Sequence, residues 1–453
     1  IEAYDQYGPK LNAVLRVNPR ALQLATERDE TLRRQGMIGP LHGIPILLKD
    51  NIETADMKTT AGSVCLKEHQ PAQDAFLVRK LKDAGAIILA KVNLHEFAVW
   101  GETVSSLGGQ TLNPYDLSRT PGGSSGGTGA GVAAGFGVAG IGTDTVNSVR
   151  SPASANSLVG IRPTTGLVSR SGLIPYSDSQ DTAGPIACCV SDAALLLDVM
   201  AGYDPEDART AYGVGQTGPG SYQAATVNPQ LTGLRIGVLR SLFGEGEEQL
   251  QVNAVVEDGF SAMRSLGVEF IELTETIDSA ALARDVSVHL HELERDLDRY
   301  LRQLGPEASV HSLRDVLTSG RFHPGIGDNL RQAISLNTES LDYYKRLQKQ
   351  EQLRGKLLEI MAQHKLDAFV FPHQQGLVVK VGQTQVGRNG VLASVTGFPS
   401  IAIPAGFSTP TTTAPLGVPI GIEFIGQPWS ERRLLEIAAA LEQARPVRLP
   451  PQL

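Results

Sequence analysis

Short apolar runs alternate with amphipathic stretches along this chain. Ile44-Pro45-Ile46-Leu47-Leu48 has the length of a buried strand, residues 74–84 carry helical spacing, and Ala86-Ile87-Ile88-Leu89-Ala90 is a second strand-like run. Strand, helix, strand is the grammar of an α/β fold. Upstream, residues 1–36 read as helices, with Leu22, Leu24 and Leu32 set among charges and a stop at Gly36. Further short strands are expected within Val159 to Val168 and at Ile174, then a helix over Ser191 to Ala201. Residues 202–229, rich in Pro and Gly, read as a surface connection. Leu234 to Leu239 begins another strand. From about 246 to 365 the pattern is mostly helical and highly charged, interrupted by an expected loop at Phe322 to Gly327, where Pro and Gly cluster.

Strand patterning returns at Ala368 to Phe371, Ser400 to Ile403 and Ile420 to Phe424, before a last helix over about 430–444. The expected architecture is α/β: a single large mixed sheet flanked by helices, whose strands come from both ends of the chain. Within one domain spanning 1–453, residues 1–204 form a core, 240–365 a helical variable insertion, and 366–453 the closing core strands and helix.

One stretch breaks the alternation. Residues 121–143 carry no charge, and ten of them are glycine. A membrane-spanning helix needs ~20 predominantly apolar residues, so no membrane association is expected; Gly/Ala spacing suits a buried helix packed closely against its neighbours. Gly135 to Gly140 formally matches GxGxxG, but no strand of the usual kind precedes it and no acidic residue lies between Asp144 and Asp178 to take a ribose hydroxyl. Neither a nucleotide nor any other cofactor is expected.

Composition narrows the function classes. The chain has 453 residues, 41% hydrophobic and 19% charged, with a formal net charge of -8. That suits a globular enzyme and offers no basic stripe for nucleic acid. Three cysteines, Cys65, Cys188 and Cys189, are too few for a disulfide framework and favour a reducing compartment, so the expected location is the cytoplasm. No leader-like segment follows Ile1. CxxC and HExxH are absent, and His289 and His291 at i,i+2 face opposite ways on a helix, so no metal is expected.

The candidate chemistry lies in Lys49 of GIPILLKDNIET, Ser124 of PGGSSGGTGAG and Ser148 of GTDTVNSVRSPAS. A serine hydroxyl attacks a carbonyl only when a base takes its proton, and only His69 and His95 occur between residues 49 and 150. A Gly/Ser run is ordinarily a linker, but this one leads straight into the small apolar run Ala130 to Ala134. A lysine at a strand end ordinarily snorkels to the surface. Lys49 instead ends five residues with apolar side chains, and burial without a paired carboxylate lowers a lysine pKa from ~10.4 by about 3 units, into the range of a general base. Asp50 points to the opposite face of an extended segment and need not pair with it.

These motifs, with KVNLHEFA at 91–98, GIRPTTGLVSRSG at 160–172, QDTAGPI at 180–186, TGFPSIAIPAG at 396–406 and GVPIGIEFIG at 417–426, resemble the amidase signature family. The resemblance covers about residues 1–200 and 366–445 and leaves 205–365 unmatched. It implies a Ser-cisSer-Lys triad: Ser148 as the nucleophile that becomes acylated, Ser124 in a cis linkage after Gly123 as the proton relay, and Lys49 as the base. It also implies an oxyanion hole from the backbone N–H groups of Thr145, Val146, Asn147 and Ser148. Two departures stand out. The family usually has two glycines where this chain has Val146 and Asn147, so either the loop avoids positive φ there or the hole is shaped differently, with Val146 narrowing the acyl pocket. Cys188 stands where arginine is usual, and both it and Cys189 are expected in the core.

The implied reaction is hydrolysis of an amide to carboxylate and amine, with esters and carbamates (urethanes) accessible to the same chemistry. The partner is then a small-molecule amide or carbamate, and the chain a monomer or homodimer. An amidotransferase subunit delivering ammonia in tRNA-dependent amidation shares the triad and is the alternative. Specificity is expected from 240–365, especially Phe322 to Gly327, and from the loop Pro372 to Gly376.

Overall fold

A computed structural model of the chain describes residues 1–216 and 220–453; part of the expected 202–229 connection, residues 217–219, lies outside the described residues. The elements in chain order begin with β1 (Val14–Val17), α1 (Ala21–Gln35), β2 (Pro45–Lys49), α2 (Phe76–Asp83), β3 (Ile87–Val92) and the small hairpin β4 (Val104–Ser105) and β5 (Gly109–Gln110). There follow α3 (Gly126–Ala133), β6 (Ala139–Asp144), α4 (Arg150–Ala155), β7 (Val159–Arg162), β8 (Thr182–Ala187), α5 (Val190–Met200) and β9 (Arg235–Val238). Residues 240–365 hold α6 (Glu247–Ser265), β10 (Glu269–Glu272), α7 (Ser279–Asp285), α8 (His289–Leu301), α9 (Leu313–Ser319), α10 (Gly327–Ser335) and α11 (Leu341–His364). The chain closes with β11 (Ala368–Pro372), α12 (Val391–Thr396), β12 (Ser400–Phe407), β13 (Pro419–Ile425) and α13 (Glu431–Ala444).

Eleven strands form one sheet in the order β1-β3-β2-β6-β8-β7-β12-β13-β11-β9-β10. It is mixed: β2 runs parallel to β3 and β6, and β9 runs parallel to β10 and β11, while β6, β8, β7, β12, β13 and β11 alternate. Strands from the two ends of the sequence therefore meet in the middle, where β12 joins β7. Helices cover the sheet, as the apolar patterning predicts, and no described helix is long and apolar enough to cross a membrane.

Several elements differ from the sequence expectation, and no strand forms at Ile174. Residues 14–17 form an edge strand antiparallel to β3 rather than helix. Residues 121–143 are not one helix: α3 covers only Gly126–Ala133, Gly135 turns the chain at φ +73°, and 139–144 is the central strand β6. The glycines of β6 explain the difference. A Cβ on Gly140 would stand 2.4 Å from Thr128 Cγ2, and one on Gly142 would stand 2.7 Å from Ser125 Oγ. They are strand glycines that let a helix lie directly on the sheet, where a missing side chain looks like helix packing in the sequence. The strand β8 escaped patterning altogether, and β10, within the mostly helical stretch, pairs in parallel with β9. Cys188 and Cys189 are half-buried rather than in the core; Cys188 packs against the edge of a hydrophobic cluster, and burial pushes the Cys189 thiol up to about 12.

Buried charges cross the sheet behind β6. Asp144 accepts from Arg150 Nη2 at 3.0 Å, Arg162 Nη1 at 2.8 Å and the Val149 backbone N–H at 3.0 Å. Arg150 also pairs with Glu423 of β13, which accepts from His373 at 2.6 Å. All five side chains are sealed from solvent. The two arginines hold the Asp144 carboxyl far below the usual carboxylate range despite its burial.

Two consequences are testable. Gly127, in the first turn of α3, has its Cα facing backbone: a Cβ there would stand 2.3 Å from the Asn93 carbonyl oxygen and 2.7 Å from that of Ala13. Gly127→Ala is expected to cost about 1–3 kcal/mol or more in urea unfolding, by overpacking against atoms that cannot rotate away. Asp144→Asn leaves Arg150 and Arg162 without their shared carboxylate and is expected to cost about 3–5 kcal/mol in the same assay.

Candidate active site

Lys49 is the last residue of β2 and is fully buried. Its Nζ lies 2.8 Å from Ser124 Oγ, 2.7 Å from Thr143 Oγ1 and 3.3 Å from the Thr143 carbonyl oxygen. Asn51 Nδ2 donates to the same threonine hydroxyl at 3.1 Å, fixing its position. Among the described residues no carboxylate forms an ion pair with Lys49. Asp50 points away, as its place in the strand predicts, and instead pairs with the buried Lys91 at 3.2 Å. Burial pushes the Lys49 amine down to about 7, against a smaller opposing pull from Asp144 and Asp181.

Ser124 follows Gly123 through a cis peptide bond, at the position the resemblance implies. Its carbonyl accepts from the His95 backbone N–H at 2.9 Å. Thr103 clamps the turn from the other side, with Oγ1 donating to the Gly122 carbonyl at 2.7 Å and accepting from the Gly126 N–H at 3.0 Å. These contacts hold the serine between the end of β2 and the start of α3.

Ser148 sits in the loop between β6 and α4, and its carbonyl accepts from the Ser125 N–H at 3.2 Å. Its hydroxyl has no hydrogen-bond partner among the described residues and faces a cavity of about 680 Å³. Thr145, Val146 and Asn147 line the same cavity, and none of the three has a positive φ. The loop thus avoids the left-handed region that two glycines would have allowed. The backbone N–H groups from Thr145 to Ser148 donate to no protein acceptor among the described residues, so they are free to bind an oxygen. The loop is held from behind: Arg150 Nη2 donates to the Val146 carbonyl at 2.8 Å, Gln180 Nε2 to the Thr145 carbonyl at 3.1 Å, and the Thr145 hydroxyl to Asp181 at 2.5 Å. Desolvation raises Asp181 to about 6.

The mostly helical stretch 240–365 contributes much of the cavity wall, through Ser279, Ala283, Ser287, His289 and Asn329 among others. Of the two loops singled out in the sequence, Phe322 to Gly327 does not reach the cavity, although Asp328 and Asn329 directly after it do; Pro372 to Gly376 reaches it through Gln375. Sequence reasoning missed Trp100, Tyr176 and Arg388, which also line it. Trp100 carried a usable signal, as one of only two tryptophans, beside a motif already recognised. The buried Arg150, Arg162 and Glu423 carried another, each a charge set within an otherwise apolar or small-residue run. Burial holds His289 down at about 4, so it is neutral at physiological pH. Among the described residues no group of three or more His, Cys, Asp or Glu side chains is placed to hold a metal ion.

A family model described as Amidase matches residues 1–435. The chain is 34% identical to the A subunit of the glutamyl-tRNA(Gln) amidotransferase from Thermoanaerobacter pseudethanolicus, over 100% of this chain and 93% of that protein. Among solved structures, the peptide amidase of Stenotrophomonas maltophilia superposes with a TM-score of 0.89 at 38% identity, covering 100% of this chain and 93% of that one. The corresponding A subunit of the Thermotoga maritima glutamyl-tRNA(Gln) amidotransferase gives a TM-score of 0.73 at 27% identity, covering 95% and 94%. With a family match across nearly the whole chain, and a relative 34% identical over the full length of this chain, the protein belongs to the amidase signature family.

Proposed function

We propose that this protein is a serine amidohydrolase that cleaves linear amides to carboxylate and amine through an acyl-enzyme on Ser148. The observation that carries the reading is Lys49 Nζ, buried without a contacting carboxylate and 2.8 Å from the hydroxyl of Ser124, beside a cavity that Ser148 lines. A lysine amine that is largely neutral near pH 7 has a lone pair with which to take a proton.

In the proposed sequence, Ser148 Oγ attacks the amide carbonyl while its proton passes to Ser124 Oγ and the Ser124 proton passes to Lys49. The carbonyl oxygen becomes an oxyanion held by the N–H groups of Thr145 to Ser148; one such donor contributes on the order of 10²–10³ in rate in other serine hydrolases. The tetrahedral intermediate collapses by breaking the C–N bond. The amine leaves with a proton returned from Lys49 by way of Ser124, and the acyl group stays on Ser148 as an ester. Water then attacks that ester by the same proton route, releasing the carboxylate and restoring the Ser148 hydroxyl. Esters follow the same course with an alcohol leaving, and a carbamate forms a carbonate ester or a carbamoyl serine according to which group departs first.

A second reading is favoured by the identity to the amidotransferase relatives: the chain would release ammonia for a partner in tRNA-dependent amidation. The stronger superposition on peptide amidase, and a substrate cavity walled by this chain's own 278–346 segment, support independent hydrolysis of a small molecule. Purified chain alone is expected to hydrolyse simple aliphatic amides, anilides or small urethanes; activity that appears only with added partner proteins would favour the ammonia-delivering role.

Two variants test the chemistry. With a serine-directed phosphonate, intact-protein mass spectrometry is expected to show one adduct that Ser148→Ala abolishes, with turnover falling on the order of 10⁴-fold or more. Labelling that persists in Ser148→Ala places the nucleophile elsewhere. Lys49 acts as a base only when deprotonated, so kcat/KM is expected to fall about tenfold per pH unit below an apparent pKa of about 7 and to level off above it. Lys49→Met is expected to remove most activity and to abolish that inflection, while circular dichroism stays native.

A further inference from the structure

One wall of the cavity is a guanidinium held in place at three points. The Arg388 Cζ lies 4.7 Å from the centroid of the Trp100 ring. Its Nη2 donates to Glu102 Oε1 at 2.8 Å, and its Nε donates to the Gln385 carbonyl at 3.1 Å. The same Glu102 oxygen accepts from the Gln385 backbone N–H at 2.9 Å, locking the carboxylate to the segment that carries the arginine. Gly101 leaves the space required: a Cβ there would stand 2.7 Å from Nη1 and 2.8 Å from Cζ.

The remaining terminal nitrogen, Nη1, has no acceptor among the described residues, and Arg388 and Trp100 both line the cavity that Ser148 faces. Only two residues on, Gly390 lies against the oxyanion loop, where a Cβ would stand 2.8 Å from Asn147 Cβ. The open donor is therefore built into the same rigid wall as the loop. Its charge is already compensated by Glu102, and the side chain is only 17% exposed. A substrate carboxylate would place a second anion about one cation in a poorly hydrated site. A neutral carbonyl oxygen needs only the free N–H and leaves no charge uncompensated.

We propose that Arg388 is a specificity-determining residue that donates from Nη1 to a second, neutral carbonyl oxygen of the substrate, so that preferred substrates carry another carbonyl group besides the one attacked. This rests on the reading of Ser148 as the nucleophile. A substrate with a single amide leaves the donor unpaired; one with a terminal carboxylate overloads it.

The test compares three amides of matched length and the same leaving amine: one with a plain alkyl acyl chain, one with a second amide carbonyl in that chain, and one ending in a carboxylate. The native protein is expected to show the highest kcat/KM for the second-carbonyl amide and the lowest for the carboxylate. In Arg388→Met the ratio of kcat/KM between the second-carbonyl and alkyl amides is expected to fall by about 10-fold or more, the range of a charge-assisted hydrogen bond. Arg388→Lys is expected not to restore it, because an ammonium cannot lie flat on Trp100 and span the same acceptors. Glu102→Gln keeps an acceptor but removes the compensating charge, and is expected to shift relative kcat/KM toward the carboxylate by about 10-fold. That second variant carries the test if Arg388→Met fails to fold. An unchanged ratio in folded Arg388→Met, or no shift in Glu102→Gln, overturns the proposal. Equal native turnover of all three amides also overturns it alone, whereas absence of native turnover on all three counts against the Ser148 reading itself.

Discussion

A lysine amine buried without a contacting carboxylate is the constraint around which the rest of this structure is arranged. Lys49 has Ser124, Thr143 and the Thr143 carbonyl as its near neighbours. All are neutral dipoles. They satisfy the amine without supplying the negative charge that would keep it protonated, and burial then pulls its pKa toward neutrality. The close approach that creates this pocket depends on glycine in β6 and within α3. A Cβ at Gly140 would meet Thr128 of α3, one at Gly142 would meet Ser125, and one at Gly131 would meet Leu47 of β2, forcing α3 away from the strands that carry Thr143 and Lys49.

Nearby negative charge is managed as carefully as the lysine. Asp144 follows Thr143 directly, yet two buried arginines and a backbone N–H consume its acceptor capacity. It organises the loop before Ser148 and exerts only a secondary pull on Lys49. Asp50, next to Lys49 in sequence, is turned away into its own pair with Lys91. The same arrangement recurs at the cavity wall, where Glu102 compensates Arg388 and leaves one guanidinium nitrogen open. In each place a buried charge is paired, and at the Arg388 wall the pairing leaves one guanidinium nitrogen open beside the cavity.

Much of the sheet was legible from patterning because its strands bury both faces and read as continuous apolar runs: β2, β3, β9, β11, β12 and β13 all appear where those runs lie. β6 and β8 are hidden from patterning by a common cause. β6 is Ala-Gly-Ile-Gly-Thr-Asp and β8 is Thr-Ala-Gly-Pro-Ile-Ala, rich in small residues because helices press directly on them. Small side chains erase the period-two signal, and in β6 they imitate close helix packing. β1 and β10 are short edge strands: the partner of β1 lies far along the chain, and β10 itself lies within a stretch dominated by helical spacing.

By itself, the sequence determined the α/β class, the family resemblance and the three residues around which the chemistry is proposed, because apolar run length and short motifs are local properties of the chain. Only the tertiary structure decided that Asp50 pairs with the buried Lys91, that Val146 and Asn147 are accommodated without positive φ, and that Phe322 to Gly327 stops short of the cavity. It alone brought Trp100 and Glu102 together with Arg388, which lies far along the chain from both. The reason is physical: hydrogen-bond partners, desolvation and the direction of a side chain depend on what packs against it from distant strands, and no spacing along one chain records that.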